Sequence, residues 1–269
     1  MNLLNNVLYI IWDIDPRIIS EFEFLRWYGI FWVIGLLLSY QVMLKICIEE
    51  KQLQFGLDQL ITYLILGIIL GARFGHILFY DPVYYWQHPI EILPISLEPT
   101  LRFTGLSGLA SHGGVLGAFI AFYLYNKKYP TNYFWLLDRL TIAASLLGGC
   151  IRLGNLMNSE IIGIPTSLPW AFIFLRIDEL PRHPTQLYEA IFYLLIFTLL
   201  FILWKSGKIR QNKGFLFGLG FLLIFTQRFL VEFVKENQVA FEKGLLLNMG
   251  QILSIPMICI GILMIIWSR

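Results

Sequence analysis

Several short stretches of this chain carry residue types that can hold an anion or move a proton. Arg152-Leu153-Gly154-Asn155 opens a polar run that passes Asn158 and Glu160 and ends at Gly163. Arg152 and Asn155 stand three positions apart, so a continuing helix puts them on one face. A guanidinium is a planar fork matched to phosphate oxygens. The asparagines can hold an ester or orient that fork, and an ordinary polar helix end is the plainer reading. Arg228 and Glu232 stand four apart. They read either as an ion pair satisfying two groups in a dry region, or as a phosphate-binding arginine oriented by its glutamate. His112 follows Ser111 and precedes Gly113 and Gly114. The small residues allow close backbone approach. A helix N-terminus favours phosphate and disfavours imidazolium, so His112 can stay a neutral base; the competing reading is a packed, hydrogen-bonded histidine. His183-Pro184-Thr185-Gln186-Leu187-Tyr188-Glu189 combines a fixed turn with Gln186 and Glu189 on one face, which a simple helix start also explains. Arg73, His76 and Tyr80 form a further group, and Tyr28 stands near the start of an apolar run.

The elements that position these residues follow from composition. Of the 269 residues, 57% are apolar and only 14% charged, with mean hydropathy +0.68 and net charge +2. Soluble domains carry about 25% charged residues. These figures exclude a disordered chain, an ordinary soluble enzyme and a nucleic-acid binder. A helix needs about 20 mostly apolar residues to cross a bilayer. Candidate spans run over 27–46, 57–79, 109–125, 134–151, 186–204, 215–233 and 250–267. The fold class expected is therefore an all-α polytopic membrane protein, one domain over 1–269, with about seven transmembrane helices. Two longer connections, 80–108 and 152–185, hold prolines and aromatic residues and read as surface arms or interfacial half-helices. Residues 7–12 are too short to span and suit the interface.

Lys and Arg in the loops set orientation. One side collects Lys45, Lys51, Lys127, Lys128, Arg139, Lys205, Lys208, Arg210, Lys213 and Arg269; the other collects Arg17, Arg26, Arg102, Arg176, Arg182, Lys235 and Lys243. The first side is expected to be cytoplasmic, with the N-terminus outside, the C-terminus inside and both arms on the outer face. On that layout Tyr28, Arg73, His112, Arg152, Asn155, His183, Arg228 and Glu232 all lie in the outer half. Ionisable residues within spans are functional candidates by default, although a long arginine can instead snorkel to a headgroup. One depth points to one cavity open to the outer leaflet. A transporter needs polar groups through the full depth. A serine hydrolase needs a G-x-S-x-G elbow, and none is present. Cys47, Cys150 and Cys259 are widely spaced, with no zinc or disulfide pattern. The acidic residues Asp13, Asp15, Glu21 and Glu23 argue against a cleavable signal peptide.

With these motifs in order, the chain resembles the prolipoprotein diacylglyceryl transferase family. The resemblance rests on Arg26-Trp27-Tyr28-Gly29, Gly71-Ala72-Arg73-Phe74-Gly75, His112-Gly113-Gly114, the stretch 152–163, the stretch 183–189 and Arg228-Phe229-Leu230-Val231-Glu232-Phe233. Two positions depart from the family pattern, Ile151 for glycine and His76 for tyrosine. The resemblance implies transfer of the sn-1,2-diacylglyceryl group of phosphatidylglycerol to the lipobox cysteine of a prolipoprotein, in the bacterial inner membrane, without cofactor or metal. It implies His112, Arg152 and Arg228 as catalytic residues. Arg152, Arg228, Tyr28, Asn155, Glu160, Glu232 and Gly163 are implied on the lipid, with Arg73, His183, Gln186 and Tyr188 as secondary positions. The outer arms are expected to bind the acceptor peptide.

Overall fold

Helices satisfy their own backbone, so apolar runs that meet lipid fold this way. The structure, a computed structural model, describes residues 9–19, 25–52, 56–93, 95–96, 102–103, 108–210, 212–236 and 247–268; the side chains of Ser96, Arg102, Phe103, Ser111 and His112 lie outside this set. Six of its helices are long and apolar enough to cross a membrane: α1 (Trp27–Glu49), α2 (Leu57–Phe79), α5 (Tyr133–Met157), α6 (Thr185–Lys205), α7 (Phe215–Val231, continued by a 3₁₀ turn over Glu232–Val234) and α8 (Met249–Trp267). This is a multi-pass membrane protein. The expected third span is the 18-residue helix α4 (Ser111–Lys128). It starts Ser-His-Gly-Gly, ends Asn-Lys-Lys and is not among the six.

The chain divides into two units, Cys47–Tyr133, and Met1–Ile46 with Phe134–Arg269. In the first, α2 and α4 cross through small residues. Gly67, Gly71 and Gly75 repeat every four residues, as do Gly113, Gly117 and Ala121. A Cβ at Gly71 would collide with the Gly113 carbonyl, and one at Gly117 with the Gly67 carbonyl. Glycine is needed here for backbone approach, which is how helices associate where lipid is as apolar as leucine. The connection after α2 contains a short helix α3 (Pro82–Gln87), a 3₁₀ turn (Pro89–Ile92) and an antiparallel pair, β2 (Ile95–Ser96) with β3 (Arg102–Phe103).

In the second unit, α5 is the central helix. Its span is 56% buried, against 17–28% for the other five. Small residues again set the approaches: Gly154 faces Tyr28 and Phe31 of α1, Gly148 and Gly149 face Tyr193 and Leu194 of α6, and Thr141 faces Gly220 of α7. Of the two readings of the 152–185 segment, surface arm or interfacial half-helix, the part after Met157 contains short strands and no half-helix. α5 continues to Met157, carrying Arg152 and Asn155 within the helix. A three-stranded sheet follows: β4 (Phe172–Phe174) pairs parallel with β1 (Ile10–Trp12) and antiparallel with β5 (Pro181–Arg182). Phe172 and Phe174 pack with Leu156, Ile162, Trp12 and Leu187, and the Trp12 indole donates to the Leu156 carbonyl at 3.0 Å. The sheet is thereby fixed to the end of α5.

At the other end of α5, Asp138 and Arg139 are each 1% exposed. Arg139, counted above with loop cations, is a buried helix residue 3.4 Å from the Asp138 carboxylate. The expectation that costly polar groups collect at one depth is corrected here. The reason is capping: Asp138 accepts the backbone N–H groups of Gly214 and Phe217, each at 2.8 Å. α7 has no cap from its own N-cap side chain, and its unpaired amides would otherwise be buried. Asp138→Ala should therefore destabilise the protein by about 3–5 kcal/mol, the cost of breaking a buried ion pair, read as the unfolding midpoint in detergent. A loss below about 1 kcal/mol would rule out this cap.

Candidate active site

Arg152 meets Asn155 because α5 keeps its pitch through both. Its Nη1 donates to Asn155 Oδ1 at 3.3 Å. Asn155 Nδ2 donates to Glu160 Oε2 at 3.2 Å, and Asn158 Nδ2 to Glu160 Oε1 at 3.0 Å. The run 152–160 therefore folds back on itself, with Glu160 orienting the asparagine that orients the arginine. Tyr28 lies against Gly154, the residue before Asn155; its hydroxyl accepts the Trp32 indole N–H at 3.3 Å.

The other side of Arg152 faces α6. Its Nε is 2.9 Å from Glu189 Oε2, an ion contact without hydrogen-bond alignment. Glu189 Oε1 accepts from Lys235 Nζ at 3.2 Å. Lys235 Nζ also donates to Glu232 Oε1 at 3.0 Å, and Arg228 lies 3.9 Å from the same carboxylate oxygen. The result is a line of alternating charge, Arg152–Glu189–Lys235–Glu232–Arg228, that ends in an arginine at each side. Its middle is dry: the Glu189 and Lys235 side chains are 1% and 3% exposed. Arg228, at 36%, is the open end. The expected Arg228–Glu232 pair is present but long. Glu232 is held more closely by Lys235 and by Asn248 Nδ2 at 3.0 Å. Asn248 caps α8 through a capping box with Gln251, and Gly250 leaves room for the Glu232 carboxylate, which a Cβ would strike at 2.5 Å.

Several expected site residues have other partners. Gly163 donates its N–H to the His183 carbonyl at 3.0 Å and accepts Arg182 Nη1 at 3.1 Å. A Cβ there would come within 2.5–2.7 Å of His183 and the Val234 carbonyl, so glycine is required for a crossing of three segments. Gln186 and Thr185 hold the carbonyls of Glu160 and Ile161. Tyr188 accepts the Trp170 indole N–H at 2.8 Å and sits 3.2 Å from His183 Nδ1. Arg73, in the other unit, spends its guanidinium on the carbonyls of Glu91, Ile92 and Gly108 and lies over the Tyr85 ring; it organises its own arm. His76 stacks on Tyr80, with Nε2 3.6 Å from Asp81. His112 is in the first turn of α4, and its side chain lies outside the described residues.

Sequence reasoning missed Lys235 and Arg182, which it counted as loop cations. Arg182 is 6% exposed. It binds Asp178, Glu236 and the Gly163 carbonyl, and the Arg182 hydrogen bond holds the Asp178 carboxyl below its ordinary value. Each has one near partner, Asp178 four and Glu232 three residues back, and one distant partner, Glu236 at 54 and Glu189 at 46 residues; the distant partners, which complete the networks, leave no local pattern.

Burial holds the His183 imidazole below its ordinary value near 6.5. A depressed histidine is protonated first in the unfolded chain, so stability is present above that value and falls as pH drops through it. The unfolding midpoint in detergent should decline between about pH 7.5 and 5.5, and His183→Gln should shrink that decline. An equal decline in the variant would refute the assignment.

A family model described as prolipoprotein diacylglyceryl transferase matches residues 17–267. Among curated relatives, the phosphatidylglycerol–prolipoprotein diacylglyceryl transferase of Bacteroides fragilis is 47% identical, covering 96% of this chain and 95% of its own length. Those of Tolumonas auensis and Chlamydia pneumoniae are 46% and 34% identical, again across 96% of this chain and 96% and 92% of theirs. A match across nearly all of both lengths leaves no room for a shared fragment, and this chain belongs to the prolipoprotein diacylglyceryl transferase family.

Proposed function

We propose that the protein transfers the sn-1,2-diacylglyceryl group of phosphatidylglycerol to the lipobox cysteine of a prolipoprotein, the first step of lipoprotein maturation. The observation that carries the mechanism is the charge line ending in Arg152 and Arg228. It holds two guanidinium groups in one network, each beside a carboxylate, and a phosphodiester is the anion they suit. In the reaction the thiolate sulfur forms a bond to the glycerol carbon, and the bond from that carbon to the phosphate oxygen breaks. Glycerol phosphate leaves. Arg152 and Arg228 stabilise the charge that collects on the leaving oxygen, while Asn155 and Glu160 aim Arg152, and Glu232 steadies Arg228. Tyr28 lines the approach beside Arg152.

A thiol attacks as its thiolate, so the reaction needs a proton acceptor. His112 takes this role on chemical grounds: a neutral imidazole in the first turn of a helix is a competent base. The protein sits in the bacterial inner membrane with α4 as a seventh span. The N-terminus faces outward, the C-terminus is cytoplasmic, and the lipid is taken from the outer leaflet. The two arms, with Tyr84, Tyr85, Trp86 and Trp170 exposed or partly exposed, receive the acceptor peptide.

Purified protein mixed with phosphatidylglycerol and a lipobox peptide should add one diacylglyceryl mass to the peptide. No increment, with lipid and detergent controls in order, would sink the proposal. Arg152→Ala should lower turnover by about 10²–10³-fold, the loss typical of one group stabilising a developing anion. Arg152→Lys should recover only part, because an ammonium lacks the fork. Near-normal turnover of Arg152→Ala at low lipid would remove Arg152 from the phosphate.

A further inference from the structure

Glu160 reaches Asn155 from a piece of backbone that these residues do not adopt unaided. Ser159 has φ 53° and Ile161 φ 58°, so the residues on both sides of Glu160 are left-handed. That region is disfavoured for any side chain with a Cβ, and most for a β-branched one. Such a conformation persists only where surrounding structure over-determines it.

Two side chains at the start of α6 supply that constraint. Thr185 Oγ1 donates to the Ile161 carbonyl at 2.6 Å. Gln186 Nε2 donates to the Glu160 carbonyl. Both residues are 0% exposed, so in this structure they hold backbone and do not meet lipid. The Gly163 N–H, bonded to the His183 carbonyl at 3.0 Å, closes the far side of the turn. From the turn the line continues through side chains: Glu160 accepts from Asn155, and Asn155 accepts from Arg152.

We infer that Thr185 and Gln186 are positioning residues: they clamp the left-handed Ser159–Ile161 turn and, through Glu160 and Asn155, set the direction of the Arg152 fork. This rests on the reading of Arg152 as the phosphate clamp. It gives the His183–Glu189 motif a defined task that a helix start does not require. The clamp acts on lipid binding and turnover, not on the acceptor peptide.

The test uses the full chain in detergent micelles with phosphatidylglycerol and a lipobox peptide. Gln186→Met and Thr185→Val remove one clamp bond each at similar volume, whereas Thr185→Ser keeps its bond. The first two should lower kcat/KM for the lipid roughly 10- to 100-fold, the scale of a misaimed catalytic group, with KM for the peptide unchanged. Thr185→Ser should remain within about twofold of wild type. Ile161→Gly makes the left-handed conformation easy, so Gln186→Met with Ile161→Gly should recover most of the loss. On a Glu160→Gln background, Gln186→Met should add little. Hydrogen exchange of the amides over 159–163 should quicken in both clamp variants, independent of catalysis.

Failure of Ile161→Gly to rescue, full multiplication of the two losses on Glu160→Gln, or unchanged exchange over 159–163 would each overturn the clamp. An inactive wild type would instead overturn the transferase reading, and the exchange measurement would still judge the clamp.

Discussion

A charge inside a membrane protein must be paired, and in this chain that rule has produced a line rather than a pair. Arg152, Glu189, Lys235, Glu232 and Arg228 alternate in sign across α5, α6, the end of α7 and the residue after it. Each inner member has an opposite charge on both sides. Removing one partner of a buried pair costs about 3–5 kcal/mol, so the interior of the line resists change. The ends are different. An arginine at a line's end has donors left over, because a guanidinium carries five N–H groups and one carboxylate cannot use them all. The pairing that makes the line tolerable in a dry environment therefore also leaves guanidinium donors at both of its ends. The contacts that stabilise the line also fix where those donors lie.

The helices serve this line. α5 holds Arg152 at a fixed height because α1 and α6 approach it through Gly154, Gly148 and Gly149. α8 contributes a capped N-terminus, whose Asn248 holds Glu232, and whose positive end favours a carboxylate. At the opposite end of α5, Asp138 binds the first amides of α7 and so ties together the helices that carry the two arginines. The two ends of α5 thus use charge in different ways, one to close a helix terminus and one to join α6 through Arg152 and Glu189.

Parts of this arrangement were legible in the sequence because they follow a period. Arg152 with Asn155, and Arg228 with Glu232, can be read from helical spacing alone. The apolar runs located six spans within a few residues. Lys235 was not legible as a link between helices: Glu232 is three residues away, but Glu189, which joins it to α6, is 46 residues away, and a lysine after an apolar run looks like an orientation signal. Arg139 failed for the same reason in reverse, as a supposed loop cation that is buried beside Asp138. For the second arm, left between a surface arm and an interfacial half-helix, the strands were not legible because they are two or three residues long, too short for an alternating pattern. Ser159 and Ile161 gave no warning either, since a left-handed turn is normally marked by glycine or asparagine.

That last absence has a physical meaning. Glycine at 159 or 161 would reach the same backbone at no steric cost. With a serine and an isoleucine there, the turn leans on Thr185, Gln186 and the Gly163 crossing, which hold it from both sides. Non-helical backbone near a membrane is acceptable when its polar groups are satisfied within the protein, and here the second arm and the start of α6 satisfy them with side chains: Thr185 and Gln186 on two carbonyls, Arg182 on a third. The arm is therefore part of what aims Arg152. Its sheet, its buried arginine and its aromatic core hold a strained turn against the end of α5, and the carboxylate of that turn decides where the guanidinium points.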